Sequence, residues 1–189
     1  MLFRSATLSE FEAWRLGPEA PDAGWSERRV GPQGQASGGL MVLLEAPERE
    51  DEAAGMLLSG AVGTLFDRML AAIGRTRESI YLASVAVARP LAGRVPSEAI
   101  EELGRIARHQ VGLAAPKRLL VIGNAASRAI LGADIAQARG ILHNFNHDAG
   151  TTGVVASFHP RFLMERPAAK AEAWRDLRLL MGEIGRAHV

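Results

Sequence analysis

The chain has 189 residues, 48% of them hydrophobic, with 22 basic against 21 acidic side chains and no cysteine. That apolar content suits one domain with its own core rather than a disordered chain. The lack of cysteine excludes disulfides, thiolate metal sites, iron–sulfur clusters and cysteine nucleophiles, while a net charge of +1 leaves a polyanionic partner open, because a local basic face matters more than the sum.

The chain starts "MLFRS" and ends "EIGRAHV". Both read like translations of a sequencing-adapter oligonucleotide, one in each orientation. Residues 1–5 and 183–189 are therefore expected to be non-native scars, His188 has no role to explain, and a native chain extending further is expected. A short helix is expected near Ser9 to Leu16. From Gly17 to Gly39 the chain is rich in Gly, Pro, Ala and charge, which predicts an irregular lead-in. Residues 1–39 are thus set apart from a domain over 40–182.

Regular elements follow. "LMVLLE" (40–45) is a continuous apolar run, as in a strand covered on both faces. The charged run "EREDE" after it reads as a solvated loop. A helix is expected from about Gly60 to Ile73, on Leu65, Phe66, Met69, Leu70 and Ile73. "SIYLASVAV" (79–87) predicts a second buried strand. Beyond "RPLAGRVP", Ser97 caps a helix carrying Ile100, Leu103, Ala107, Val111 and Ala114. "RLLVIG" (118–123) is a third strand, then a helix capped by Asn124 and ended by Gly132. "GVVASF" (153–158) is a fourth strand. A last helix from near Pro167 presents Ala173, Trp174, Leu177, Leu180 and Met181 as a core stripe.

Strands alternating with helices predict an α/β fold: a three-layer α/β/α sandwich around a four-stranded, mostly parallel sheet. Its site is expected beyond the carboxyl ends of the strands, where residues 45–63, 84–94, 123–124 and 158–163 meet. No apolar run reaches the roughly 18 residues of a membrane span and no secretory leader is read, so a cytoplasmic monomer without membrane contact is expected.

Two of those segments carry a signature. "LEAPEREDEAAGMLLSGAVGTLFDRMLAAIG" resembles the first motif of the uracil-DNA glycosylase superfamily, in particular its thermophile-type family 4, which reads Gly-Glu-Ala-Pro-Gly, acidic residues, then Gly-x-Pro-Phe-x-Gly-x-x-Gly. "SFHPRFLMERPAAKAEAWRDLRLLM" resembles the second, histidine–proline motif and the last helix of that family. "YLASVAVARPLAGRVPSEAIEEL" is similar to its Tyr-x-x-Asn-x-x-x-Cys-Arg-Pro segment, and "PKRLLVIGNAASRAILG" to its third strand and following helix. The register holds from about Leu40 to Met181.

The resemblance implies a sheet of the uracil-DNA glycosylase type and a partner, DNA containing a damaged base, whose altered nucleotide is flipped out before the bond to its sugar is cut. Glu45 falls on the residue that would orient or activate water. His159 falls on the one that would stabilise charge on the leaving base. Ala46, Pro47, Leu58 and Ser84 fall on substrate-binding positions. Pro160, Arg161 and Phe162 follow the histidine as candidate DNA contacts and wedge. Arg89 joins them, with Arg94, Arg166 and Lys170, on a basic edge weighed against scattered surface charge.

Several positions depart from the family pattern. Leu44 and Glu48 replace glycines, Leu58 the stacking phenylalanine, and Ser84 the asparagine that reads the base edge. Ala88 and Leu103 stand at two of the four cluster-cysteine positions, and the other two fall within 17–39. The iron–sulfur cluster is therefore expected to be absent, with packing as the local staple and no cofactor or metal. His143 and His147 in "HNFNHD" are not taken as metal ligands, and Gly123-Asn124 is read as an ordinary strand-to-helix turn rather than a phosphate cradle. Two functions stay open: a diverged glycosylase acting on uracil or another damaged base, or an inactive relative that binds DNA or another partner through the same cleft.

Overall fold

The computed structural model describes residues 5–182. The expected foreign ends, Ser5 apart, and His188 lie outside the described residues. In chain order the elements are α1 (Leu8–Arg15), β1 (Gln33–Gly34), β2 (Leu40–Leu44), α2 (Arg49–Ala54), α3 (Gly60–Ala72), β3 (Tyr81–Ser84), α4 (Ser97–Ala114), β4 (Arg118–Ile122), α5 (Asn124–Leu131), α6 (Ile135–Ala138), β5 (His143–His147), β6 (Gly150–Ser157), α7 (Pro160–Glu165) and α8 (Lys170–Gly182).

The sheet has six strands in the order β1-β3-β2-β4-β6-β5. Its inner four are the expected apolar strands and all are parallel. The two further strands lie antiparallel at the edges, β1 on β3 and β5 on β6. Neither has a buried-strand pattern. β1 is two residues long, and β5 reads His-Asn-Phe-Asn-His with alternate residues exposed, as an edge strand allows.

Alternation along the inner strands sends side chains to two cores. Met41, Leu43, Tyr81, Ala83, Leu119, Val121, Val154 and Ala156 pack with Phe11 of α1 and with the apolar faces of α4 and α5. Leu40, Val42, Leu44, Leu82, Leu120, Ile122 and Val155 pack on the other face against Val62, Phe66 and Leu70 of α3 and Leu177 and Leu180 of α8. The result is the three-layer sandwich read from the sequence.

Local boundaries differ in instructive ways. β3 is shorter than expected because β2 ends at Leu44, yet the Val85 and Ala86 amides still donate to Leu44 and Glu45 carbonyls. Ser97 and Asn124 are first helical residues rather than caps, preceded by Pro96 and Gly123. The "EREDE" run is not a solvated loop. It forms α2, with Asp51 buried, because the Asp51 carboxylate accepts from the Glu48 amide (3.0 Å), the Ser59 amide (3.0 Å) and the Ser59 hydroxyl (2.7 Å). Gly63 is required where α3 meets the preceding turn, since a Cβ there would lie 1.8 Å from the Leu58 carbonyl oxygen.

The lead-in is irregular in backbone but belongs to the same core. Arg15 and Asp22, at 1% and 0% exposure, form a buried bidentate ion pair. Arg15 Nη2 also donates to the Val85 carbonyl (2.9 Å), and Asp22 Oδ2 accepts from the Val87 amide (2.8 Å) and the Ala88 amide (3.4 Å). The pair ties α1 and the lead-in to the chain leaving β3.

Candidate functional site

The parallel strands all point their carboxyl ends to one edge, where a cleft of about 440 Å³ opens. Glu45, Ala46 and Pro47 enter it from the end of β2, Ile122 and Gly123 from the end of β4, His159 and Arg161 from beyond β6, and Arg89 and Gly93 from beyond β3. Residues far apart in sequence meet here because each follows a neighbouring strand of one sheet.

Glu45 is half-buried at the strand end. Its Oε1 accepts from the Val95 amide (3.3 Å), and Oε2 has no hydrogen-bond partner among the described residues. Burial raises its pKa above the usual 4.5, with the Val95 bond and the charges of Arg94 and Arg128 offsetting part of the shift. A carboxylate made more basic than usual and open on one side is suited to accept a proton.

His159 owes its geometry to the proline after it. It caps α7, with Pro160 at the first helical position, where a missing amide hydrogen costs nothing. Its Nδ1 accepts from the Arg161 amide at 3.0 Å. A backbone N–H can only donate, so Nδ1 is unprotonated and the neutral ring carries its hydrogen on Nε2. Nε2 has no partner among the described residues and is the ring's free donor. Burial lowers the His159 pKa below 6.5, with the Arg161 charge acting the same way and Glu48 opposing. The imidazole is therefore a neutral donor at pH 7.

Glu48, where the family pattern has glycine, forms a fork with Arg161: Arg161 Nε donates to Glu48 Oε1 at 2.8 Å, and Nη2 to Oε2. That bond, above all, raises the Arg161 pKa. It joins the start of α2 to the start of α7 across the rim of the cleft and occupies the planar face that would grip a phosphate.

Other candidates lie elsewhere. Leu58 is buried in the core with a φ of 51°. Ser84 is buried, and its hydroxyl donates to the Ala86 carbonyl at 2.6 Å. Phe162 stacks on Phe158, with ring centroids 4.9 Å apart. Leu58, Ser84, Phe162, Pro160, Arg166 and Lys170 are not among the residues lining the cleft; Lys170 borders a separate apolar groove between α3 and α8. The Gly123 amide donates to the Ser157 carbonyl (3.1 Å) and Asn124 Oδ1 accepts from the Ile135 amide (3.0 Å), as in an ordinary turn. His143 and His147 bond to the Ala138 carbonyl and the Thr152 hydroxyl, and among the described residues no three His, Asp or Glu side chains group as for a metal. The residues do not fit an iron–sulfur cluster: the side chains of Ala88 and Leu103 offer no donor atom, both are buried, and the chain has no thiol. Glu48 as partner of Arg161, and Asp22 beneath the loop that carries Arg89, were not foreseen. The glycine-to-glutamate departure signalled the first; nothing in the sequence signalled the second.

Among the described residues no helix is long and apolar enough to cross a membrane. The family model for the uracil DNA glycosylase superfamily matches residues 32–178. A type-4 uracil-DNA glycosylase of Pyrobaculum aerophilum is 24% identical over 157 residues, covering 79% of this chain and 80% of the relative. A type-4 uracil-DNA glycosylase of Archaeoglobus fulgidus is 29% identical over 147 residues, covering 74% of this chain and 73% of the relative.

Proposed function

The chain belongs to the uracil-DNA glycosylase superfamily, and from that premise we propose that it hydrolyses the N-glycosidic bond of uracil or another damaged base extruded from DNA, without a cofactor. The observation that carries this reading is the convergence of Glu45 and His159, from the ends of two different strands, on one cleft. Extrusion brings the base into the cleft. The bond between its ring nitrogen and the sugar C1′ breaks, and the electron pair stays with the base. The negative charge that spreads to a carbonyl oxygen of the base is met by the His159 Nε2–H. A water attacks C1′ and loses its proton to Glu45, leaving an abasic sugar and, after protonation, the free base.

The substrate preference has moved away from tight uracil readout. Leu58 offers no aromatic face, and Ser84 spends its hydroxyl on the Ala86 carbonyl. The same two observations favour the second reading, an inactive relative that binds DNA through the cleft. Purified protein in excess over oligonucleotides bearing one uracil, hypoxanthine or xanthine, single- and double-stranded, is expected to leave alkali-labile abasic sites in at least one of them. Intact strands throughout, with folded protein, would leave the binding reading.

Either reading gives Glu48 a part. With its carboxylate in place, Arg161 meets DNA already paired. Glu48→Gly is expected to tighten duplex binding at low salt and to steepen the log–log salt dependence by about 0.9, the share of one additional phosphate contact. Fluorescence anisotropy across a salt series checks this, and an unchanged slope would show that Arg161 contacts no phosphate.

A further inference from the structure

We infer that Arg139 and Asp176 are positioning residues for His159: from the end of α6 and from α8 they hold the backbone that aims the imidazole into the cleft. The inference rests on the excision reading above. Neither side chain is among the residues that line the cleft, so each acts through other groups. An aspartate at 1% exposure paired with an arginine at 18% is costly to desolvate, and an apolar pair of similar volume often stabilises a fold as well. What distinguishes this pair is its place, beside the segment that carries His159.

The chain runs Ser157-Phe158-His159-Pro160 from the end of β6 into α7. Ser157 lies two residues beyond Val155 and so faces α8, where its hydroxyl donates to Asp176 Oδ2 at 2.7 Å. Arg139, the residue after α6, makes a fork to the same carboxylate: Nε donates to Oδ2 at 3.0 Å and Nη2 to Oδ1 at 3.2 Å. Its Nη1 donates to Glu172 Oε2 at 3.0 Å, one turn earlier on α8. With the donors along its edges engaged by two carboxylates, the guanidinium plane is fixed. Its Cζ stands 4.3 Å from the centroid of the Phe158 ring. Phe158 in turn stacks on Phe162 of α7, with centroids 4.9 Å apart.

The consequence falls on one hydrogen bond. His159 Nδ1 accepts from the Arg161 amide at 3.0 Å, and that bond leaves Nε2–H for the base. Arg161 belongs to α7 while His159 follows β6, so the bond lasts only if the junction between strand and helix is rigid. Pro160 restrains the α7 side through its fixed φ. On the β6 side the restraint comes from the Ser157 hydroxyl on Asp176 and from the Phe158 ring under Arg139. A reacting group has to be held within about 0.5 Å of its working position by neighbours whose own rotamers are locked, and this network meets that need. A lysine at 139 could neutralise Asp176 but would bring neither the fork nor a flat face for Phe158.

Two variants of the full chain test this without leaving a buried charge alone. Arg139→Lys keeps a cation beside Asp176. Asp176→Asn keeps an acceptor for Ser157, while Glu172 still meets Arg139. In both, the single-turnover excision rate at saturating protein, on the best substrate of the excision assay, is expected to fall roughly 10- to 100-fold, as for a misplacement of about 1 Å. The half-saturating protein concentration should stay within about twofold, since the loss lies in the transition state. The 15N signal of His159 Nδ1, recorded at pH 8 without DNA and assigned by its absence in His159→Ala, is expected to move toward that of a ring nitrogen accepting no hydrogen bond. A lowered melting temperature with rate and Nδ1 signal both at wild-type values would overturn the inference and leave a purely structural ion pair. If the wild type cleaves no substrate, the excision reading fails by itself and the Nδ1 signal still decides. A moved signal in the variants upholds their hold on the imidazole, and an unmoved one overturns it.

Discussion

Replacing His159 with alanine is expected to lower the rate of base excision about 10²- to 10³-fold, the usual loss when one preorganised donor to a developing oxyanion is removed. DNA affinity should change little, because the interaction forms fully only as the glycosidic bond breaks. The expectation follows from the tautomer. With Nδ1 taken by the Arg161 amide, the ring holds its one hydrogen on Nε2, and no rotation of the ring is needed at the moment of reaction. Protonation of Nδ1 would break that bond and cap α7 less well, in keeping with a pKa that burial already holds below 6.5. The pH dependence carries the sign. As pH falls through the lowered histidine pKa, the neutral donor of fixed tautomer is lost. As it falls through the raised pKa of Glu45, the proton acceptor is lost. Activity should therefore decline as pH falls, with the histidine step below 6.5 and the glutamate step above 4.5. Single-turnover rates from pH 4 to 9 on the best substrate of the excision assay, for wild type, His159→Ala and Glu45→Gln, check this. A His159→Ala rate within a few-fold of wild type would remove the histidine from the chemistry.

The parts of this molecule legible in the sequence are those fixed by one-dimensional pattern. The four inner strands are continuous apolar runs because both faces are covered, and burial of that kind writes itself into composition. The strand-end positions of Glu45 and His159 were legible through the two motifs and the rule that parallel sheets place sites at their carboxyl ends, whereas the cap that His159 makes on α7 was not read from the sequence. The edge strands were not legible. β5 needs only its hydrogen bonds to β6 and one half-covered face, so His143 to His147 carry no apolar alternation. The burial of Asp51 was hidden for a related reason. Its carboxylate is satisfied by Ser59, eight residues on, and only the folded turn brings the two together. Glu48 and Arg161 are 113 residues apart, and charge sign alone cannot pair side chains at that distance in sequence.

Asp22 is the least legible residue and the one whose loss should cost most. Asp22→Ala is expected to destabilise the fold by about 3–5 kcal/mol, since it leaves the buried Arg15 guanidinium without its counter-charge. For a domain of this size that corresponds to a fall in melting temperature of roughly 6–20 °C. Two functions of the carboxylate can be separated. It neutralises Arg15, and it accepts the Val87 and Ala88 amides. Asp22→Asn keeps an acceptor for the amides but leaves the cation without its counter-charge, so it should lie between wild type and Asp22→Ala. Arg15→Met combined with Asp22→Asn removes the buried charge and retains the acceptor, and should recover most of the stability that Asp22→Asn loses. Urea unfolding followed by circular dichroism orders the four proteins. A double variant no more stable than Asp22→Asn would mean that Arg15 contributes through its bond to the Val85 carbonyl rather than as a counter-ion. The ion pair joins the lead-in to the segment beginning at Val85. The consequence reaches the cleft, because Val87 and Ala88 are the foot of the loop that carries Arg89 and Gly93. Variants that loosen this foot should therefore lose duplex binding at temperatures where the rest of the fold still stands, and a loss of binding that only tracks global unfolding would show that the loop does not depend on its anchor.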